Sequence, residues 1–304
     1  MKETSGPSDS TCRALAALEE IQNEYIVSGM CEAVVCGFSR TVVGHFKREG
    51  RALPWRKTCD PYLILVSEIM LQQTQVSRVM AKYLSFTKAF PDFRTLHAAT
   101  LEEVLSAWQG LGYNRRAIAL KRIAAIVTDD YGGLFPEDPA AIGTFPGIGR
   151  CTATAIGVYA FGRPGVFIET NIRRTYIHCF FPGRESVRDS EIIPFVAATI
   201  DEDSLKEFFW GLMDIGTLLS RLATDPNHRS ARYRKQPAFA GSRRQKRGAI
   251  ISALVQGPRP VETLAGLTGI QGEELGDLLR ILAGEGFLET CGDMVRLMPS
   301  GPPW

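Results

Sequence analysis

The sequence predicts a mainly α protein, an all-helical main domain followed by a small C-terminal module of three helices and a terminal hairpin. Three observations carry that expectation. Apolar residues recur at helical period through most of the first 222 residues. Only one short run in that stretch, Val166-Phe167-Ile168, is strongly strand-like. After a basic segment without any period, the last 60 or so residues take up a different pattern of short helices and strands.

The 304 residues are 45% hydrophobic and 22% charged, the balance of an ordinary soluble globular protein. Residues 1–30 read as an N-terminal extension, its first dozen or so residues a disordered tail. The opening MKETSGPSDS has no basic stretch followed by an apolar one, so it is no secretory signal. No apolar run approaches the roughly 20 residues that cross a bilayer. A cytoplasmic protein without membrane contact is expected. Its seven cysteines are odd in number and lack any C-x-x-C pair, which argues against a disulfide framework and an ordinary zinc site.

A helix is predicted from about Cys31 to Gly50, and Pro54-Trp55 opens a loop. Helical spacing runs from Tyr62 to Phe90, with the polar QQT at 72–74 splitting it in two. Thr100 as N-cap with Glu103 three residues on starts a helix to Leu111, and another covers Arg115 to Tyr131. FPGIGR (145–150) precedes a small-residue helix ending near Phe161. Further helices are expected over 171–181, 190–200 and 204–222. The block 31–222 thus forms the main domain, 223–243 a basic linker or loop, and 244–304 the module. In the module, helices over 245–255, 261–267 and 272–284 precede a hairpin from Phe287, a pattern similar to a winged helix.

Net charge is only +2, but Arg221 to Arg247 holds nine Lys or Arg against the single acid Asp225. Such a cluster suits a phosphate backbone through counterion release, and composition alone suits a solvated linker equally well. Pro146-Gly147-Ile148-Gly149 between two helical stretches is the strongest local feature. Its two glycines permit a tight turn with positive φ. The N–H groups opening the next helix then form a nest for a phosphate, with Arg150 adding charge. The same glycines would also punctuate an ordinary helical hairpin.

PGIGR, a small-residue helix and, eighteen residues beyond Cys151, the carboxylate Glu169 resemble the helix-hairpin-helix–Gly-Pro-Asp superfamily of DNA glycosylases. LPWR (53–56), DPY (60–62), SEIMLQQTQV (67–76), GLGYNRRA (110–117) and LMDIG (212–216) resemble the adenine DNA glycosylases in particular, in the same order and at similar distances. The likeness covers roughly residues 38–222. It implies a fold of two helical lobes and a base excision repair enzyme that hydrolyses the N-glycosidic bond of a flipped base, most simply adenine opposite 8-oxoguanine or guanine. Its partner is then double-stranded DNA carrying a mispair or lesion, bound by a monomer.

That reaction needs a protonated leaving base and a stabilised sugar cation, work for one protonated and one ionised carboxyl. Glu68, in an apolar helix beside Leu65, Ile69 and Leu71, matches the family's proton donor; by itself such a Glu would more often be a surface residue. Glu169 matches the catalytic aspartate but carries one more methylene, and Asn171 matches the asparagine that orients the carboxylates. Glu169 also suits an N-cap for the helix that follows, and the two readings are compatible. Gln72 and Gln73 match the wedge that fills the duplex after flipping. Tyr113 matches an aromatic inserted near the orphaned base, with core packing as its plain alternative. The hairpin Pro146, Gly147, Ile148, Gly149 and Arg150 and the basic run Arg243, Arg244, Lys246 and Arg247 complete the expected DNA contacts.

Three departures qualify the resemblance. Cys151 stands where bifunctional relatives carry the Schiff-base lysine, which implies a monofunctional enzyme, with Cys151 itself a buried small residue. Laying the family's cluster-ligand spacing on this chain gives Ser220, Asn227, Ser230 and Gln236, so no iron–sulfur cluster and no other metal or cofactor is expected. The larger C-terminal domain that reads 8-oxoguanine in typical relatives is replaced by a shorter segment of another pattern. Glu169 and the missing domain keep a mismatch thymine or uracil glycosylase open as an alternative. A DNA-binding protein without catalysis is a further alternative, against which the retention of both Glu68 and Glu169 argues.

Overall fold

The computed structural model describes residues 9–222, 224–235 and 238–298. Among these, fifteen α-helices follow in order: α1 (Asp9–Ser28), α2 (Glu32–Glu49), α3 (Pro61–Leu71), α4 (Val76–Ala89), α5 (Phe93–Ala98), α6 (Leu101–Trp108), α7 (Arg115–Asp129), α8 (Pro139–Ile142), α9 (Arg150–Phe161), α10 (Thr170–Phe180), α11 (Asp189–Thr199), α12 (Leu205–Leu219), α13 (Arg243–Leu254), α14 (Val261–Thr268) and α15 (Gly272–Gly284). Three short strands, β1 (Arg259–Pro260), β2 (Leu288–Cys291) and β3 (Met294–Leu297), form one antiparallel sheet in the order β1-β3-β2. None of the described helices is long and apolar enough to cross a membrane.

The chain folds as two units. The first comprises the chain up to Arg56 together with Arg150–Lys235. Its centre is the packing of α12 against α2 and α10, filled by Phe38, Tyr176, Phe180 and Phe208, all buried. Two glycines let the helices touch backbone to backbone. A Cβ on Gly211 would lie 2.5 Å from the Val42 carbonyl oxygen, and one on Gly216 would lie 2.5 Å from the Asn171 Cβ, closer than atoms can pack.

The N-terminal extension needs correction. Residues 9–28 are helical, and Ala14, Leu18 and Ile21 form one buried face of α1 against α2 and α10. Their i, i+4, i+7 spacing is the ordinary amphipathic signal. The remainder of the expected tail, residues 1–8, lies outside the described residues. The strand-like run Val166–Ile168 lies in no strand of the described residues, in keeping with an all-helical main domain, and Phe167 is buried.

LPWR and LMDIG meet in this unit. Buried Asp214 accepts from the Arg51 backbone N–H at 2.9 Å, from Arg51 Nε at 2.6 Å, and from both Arg56 terminal nitrogens at 2.8 Å. Burial alone would raise the Asp214 pKa, but the Arg56 bonds and charge, with Arg51, outweigh it and hold the carboxyl below its ordinary value. A depressed native pKa stabilises the fold above the unfolded aspartate range, and that stabilisation is lost as pH falls through the native value. Thermal melts should therefore drop on acidification below about pH 4. Asp214→Asn strands the buried Arg56 and should lower stability by about 3–5 kcal/mol at neutral pH, with a flatter acid dependence.

The second unit comprises Lys57–Gly149 and the chain from Gln236 onward. DPY is a helix start: the Asp60 side chain accepts from Tyr62 N at 2.8 Å, and Pro61 occupies the first helical position. Helix α3 is apolar nearly all round and correspondingly buried. QQT separates α3 from α4, and the Thr100–Glu103 capping box opens α6, both as the pattern predicts. Helices α5 and α8 were not expected; at six and four residues they are too short to show a period.

The C-terminal part forms three helices and the small sheet, a winged arrangement. Its first helix begins at Arg243, with Ser242 as N-cap accepting from Gln245 N at 3.2 Å. The basic run therefore lies within the first turns of α13, not ahead of it. The module is fastened to the start of α7 by Glu285. Its carboxylate accepts from Arg115 Nε at 3.0 Å and Arg247 Nη1 at 2.8 Å, and each guanidinium makes a second, shorter bond.

Candidate active site and nucleic-acid interface

In the first unit, Glu169 is the N-cap of α10, accepting from Asn171 N at 2.7 Å and Ile172 N at 2.9 Å. The capping and catalytic readings are thus compatible, since one oxygen takes the cap bonds. The Asn171 Nδ2 lies 3.4 Å from the other oxygen, Oε2. Arg174 donates from Nη1 to Asn171 Oδ1 at 2.6 Å, which fixes the amide with its nitrogen towards Glu169. Arg174 is itself held by Asp225 at 2.6 and 3.0 Å and by the Gly216 carbonyl at 3.0 Å. Burial raises the Glu169 pKa above its ordinary value, against the two backbone N–H bonds and the charges of Arg173 and Arg174. The carboxylate is an acceptor aimed by its own helix and poised to titrate above the usual glutamate range.

Cys151 sits in the first turn of α9 and is exposed, not the buried small residue expected; its Sγ lies 3.6 Å from the Ile168 carbonyl. A thiol there cannot condense with an aldehyde to a Schiff base.

Hydrogen bonds hold the loop at the expected ligand spacing. Ser220 caps α12, Asn227 lies in a 3-10 turn (Pro226–Arg229), and Ser230 bridges to Val187; Gln236 lies outside the described residues. Arg229 donates to the carbonyls of Phe181 and, at 3.2 Å, Ile177. Among the described residues no group of three or more His, Cys, Asp or Glu is placed to hold a metal ion.

In the second unit, Glu68 is half-buried on α3 between buried Ser67 and Ile69. Three turns gather near the end of that helix. Gln73 and Tyr113 both adopt left-handed backbone, φ 53° and 49°. Outside glycine this conformation is strained and persists only where neighbours impose it. Here Arg116 imposes it. Its buried guanidinium donates to the carbonyls of Ile69 (2.9 Å), Met70 (2.8 Å) and Gln72 (2.6 Å), to Thr74 Oγ1 (3.0 Å), and to the carbonyls of Leu111 (3.2 Å) and Gly112 (3.0 Å). One side chain thus ends α3 and sets both the QQT and GLGY turns. Its burial lowers its pKa to about 10. In the sequence, an arginine on the inward, otherwise apolar face of α7 is the trace of this role.

The third turn is the hairpin. Gly147 has φ 76°, and Gln72 Nε2 donates to its carbonyl at 3.2 Å. Ile148 is buried and anchors the turn, while Gly149 and Arg150 are exposed. Of the two glycines only Gly147 needs positive φ; at Gly149 a Cβ would meet nothing within 4 Å, so glycine there leaves the backbone open to an approaching group. The next residue begins α9, whose first N–H groups have no carbonyl partners within the helix. The module's basic residues divide: Lys246 pairs with Glu274 and Arg247 with Glu285, Arg244 stacks on Tyr113, and Arg243 is exposed.

Residues 66–192 match the model of the HhH-GPD superfamily base excision DNA repair proteins. The chain is 33% identical to the adenine DNA glycosylase of Mycolicibacterium smegmatis, across 69% of this chain and 78% of that protein. It belongs to the HhH-GPD superfamily of base excision DNA repair proteins. The adenine DNA glycosylase of Buchnera aphidicola subsp. Baizongia pistaciae is 35% identical over 60% of this chain, which spans about half (52%) of that relative's length. A thermostable thymine-DNA glycosylase superposes with a TM-score of 0.57 at 26% identity, over 63% of this chain and 90% of the other. The HhH-GPD segment contains Glu68, Gln72, Gln73, Tyr113, the hairpin 146–150, Glu169 and Asn171. Arg243, Arg244, Lys246 and Arg247 lie beyond it.

Proposed function

We propose that the protein is a monofunctional DNA glycosylase that releases mispaired adenine, most simply opposite 8-oxoguanine or guanine. The observation that carries this reading is Glu169 at the N-cap of α10, with Asn171 on its second oxygen, in a chain 33% and 35% identical to two adenine DNA glycosylases. Glu68 protonates the leaving base, and Glu169 in its ionised form stabilises the cationic sugar. Water completes the reaction, because no amine stands at position 151. The DNA partner is engaged by the hairpin and the QQT and GLGY turns, and the protein acts as a monomer in the compartment where it is made.

No iron–sulfur cluster is part of the proposal. It is supported by Ser220, Asn227 and Ser230 at the ligand spacing and by the Asp225–Arg174 and Arg229 bonds that fix the loop without one. Purified protein should carry no stoichiometric iron and no broad absorbance near roughly 400 nm. Four irons per chain would overturn this.

The deciding assay incubates the protein with duplexes carrying each mismatch or lesion, followed by alkali. Alkali-labile sites should appear at adenine, and borohydride should trap no covalent adduct. Release of thymine or uracil instead would favour the second reading, which the likeness to the thymine-DNA glycosylase motivates. No release from any duplex would leave a non-catalytic damage-binding protein.

A further inference from the structure

We propose that Arg244 is a positioning residue that sets Tyr113 against a mispaired duplex, and that the C-terminal module takes part in the reaction through it. The proposal rests on the DNA glycosylase reading and extends it to residues outside the matched 66–192 segment.

The Tyr113 turn does not hold its own shape. Gly110, Gly112 and Tyr113 have φ of 89°, 71° and 49°, all left-handed. At tyrosine that conformation persists only where neighbours impose it. Arg116 supplies this for the backbone, through the Leu111 and Gly112 carbonyls. The ring needs a hold of its own. Tyr113 is half-buried and borders a cavity of about 490 Å³, so packing alone does not fix where its ring points. A bond from the module does. Arg244 Nη1 donates to the Tyr113 hydroxyl at 2.5 Å, and its guanidinium lies 5.2 Å from the ring centre. A ring pinned at its far end cannot swing.

Arg244 is itself placed by the fold. Its guanidinium also lies 5.2 Å from the Phe239 ring centre. It projects from the start of α13, whose first turns carry Arg243, Arg244, Lys246 and Arg247 and no acid. Cations at a helix N-terminus oppose the helix dipole. A sequence breaks such a local rule where the residues serve elsewhere. Here Arg244 serves Tyr113, and Arg247 serves Glu285, whose carboxylate also takes Arg115, two residues past Tyr113. The module therefore holds the turn at both Tyr113 and Arg115. The Glu285 bridge alone would dock the module; the bond to Tyr113 reaches a side chain that the resemblance places against DNA.

Single-turnover release and duplex affinity separate this role from a docking contact and from a phosphate contact. Tyr113 meets the distorted duplex, so Arg244→Met should slow release about tenfold, a usual coupling between neighbours, while affinity for matched duplex stays within about twofold. Arg244→Lys keeps a donor for the hydroxyl and should recover part of the rate. In a Tyr113→Ala background Arg244→Met should add less than about twofold, because no ring remains to be positioned. Tyr113→Phe removes the hydroxyl without touching the module and should show a similar loss, so it serves if Arg244→Met folds poorly. Undiminished release in Arg244→Met or Tyr113→Phe overturns the proposal. So does a loss that persists in full in Tyr113→Ala, or one that falls on affinity for every duplex with a flatter salt dependence, as a phosphate contact requires. The preference for mispaired over matched duplex, measured in Glu68→Gln protein so that the DNA stays intact, should fall by the same factor as release. Absence of alkali-labile sites with wild type would remove the glycosylase reading, and this preference would still report on Arg244.

Discussion

Glu68→Gln should slow single-turnover base release by about a hundredfold to ten-thousandfold, the usual span for a positioned general acid. The amide has nearly the shape of the acid and cannot deliver a proton to the departing base. Because the donor acts mainly in the transition state, duplex affinity should change only a few fold. The change is nearly isosteric: Glu68 is half-buried on a helix whose buried residues include Tyr62, Ile64, Leu65, Val66, Ile69 and Met70, all of which are kept. Turnover near the wild-type rate at neutral pH would take Glu68 out of the acid role.

How far the sequence disclosed this follows from what each feature depends on. Long helices were legible because their period is local, as with α2, α7 and α15. The wedge and hairpin residues were legible because motif spacing fixes them. Helix α1 showed the same period in Ala14, Leu18 and Ile21 but was obscured by the polar residues around it. What could not be read were the contacts made across long separations. Arg116 reaches carbonyls 44 to 47 residues away and the Thr74 hydroxyl 42 away, and Arg56 finds Asp214 158 residues on. Its place on the inward face of α7 marks Arg116 as buried, but nothing local says that it will hold two turns. Likewise LMDIG lies inside an expected helix, and only the fold shows why its glycine is required. Gly216 is where the backbone of Asn171 rests, so a larger residue there would push away the helix start that carries Glu169.

Glu169→Gln should cost about a hundredfold to a thousandfold in base release, the scale of one preorganised electrostatic contact. The amide oxygen can still accept from the Asn171 and Ile172 N–H groups, so the α10 cap survives and the loss reports on charge. Glu169→Asp asks a different question. Aspartate keeps both the cap and the charge but withdraws the carboxylate by about a bond length, and misplacement of ~1 Å can cost ~100-fold. If the surroundings here are built for the longer arm, through Asp225, Arg174 and Asn171 in series, the aspartate variant should be slower than wild type although it restores the family's residue. The pH profile supplies the control. Burial raises the Glu169 pKa, so the ionised form the reaction needs should be lost as pH falls through a value above the ordinary glutamate range. Wild type should show that acid limb, and Glu169→Gln should lack it because no group remains to titrate. An aspartate variant as fast as wild type would mean the extra methylene is neutral, and an unchanged acid limb in Glu169→Gln would place the titration on another group.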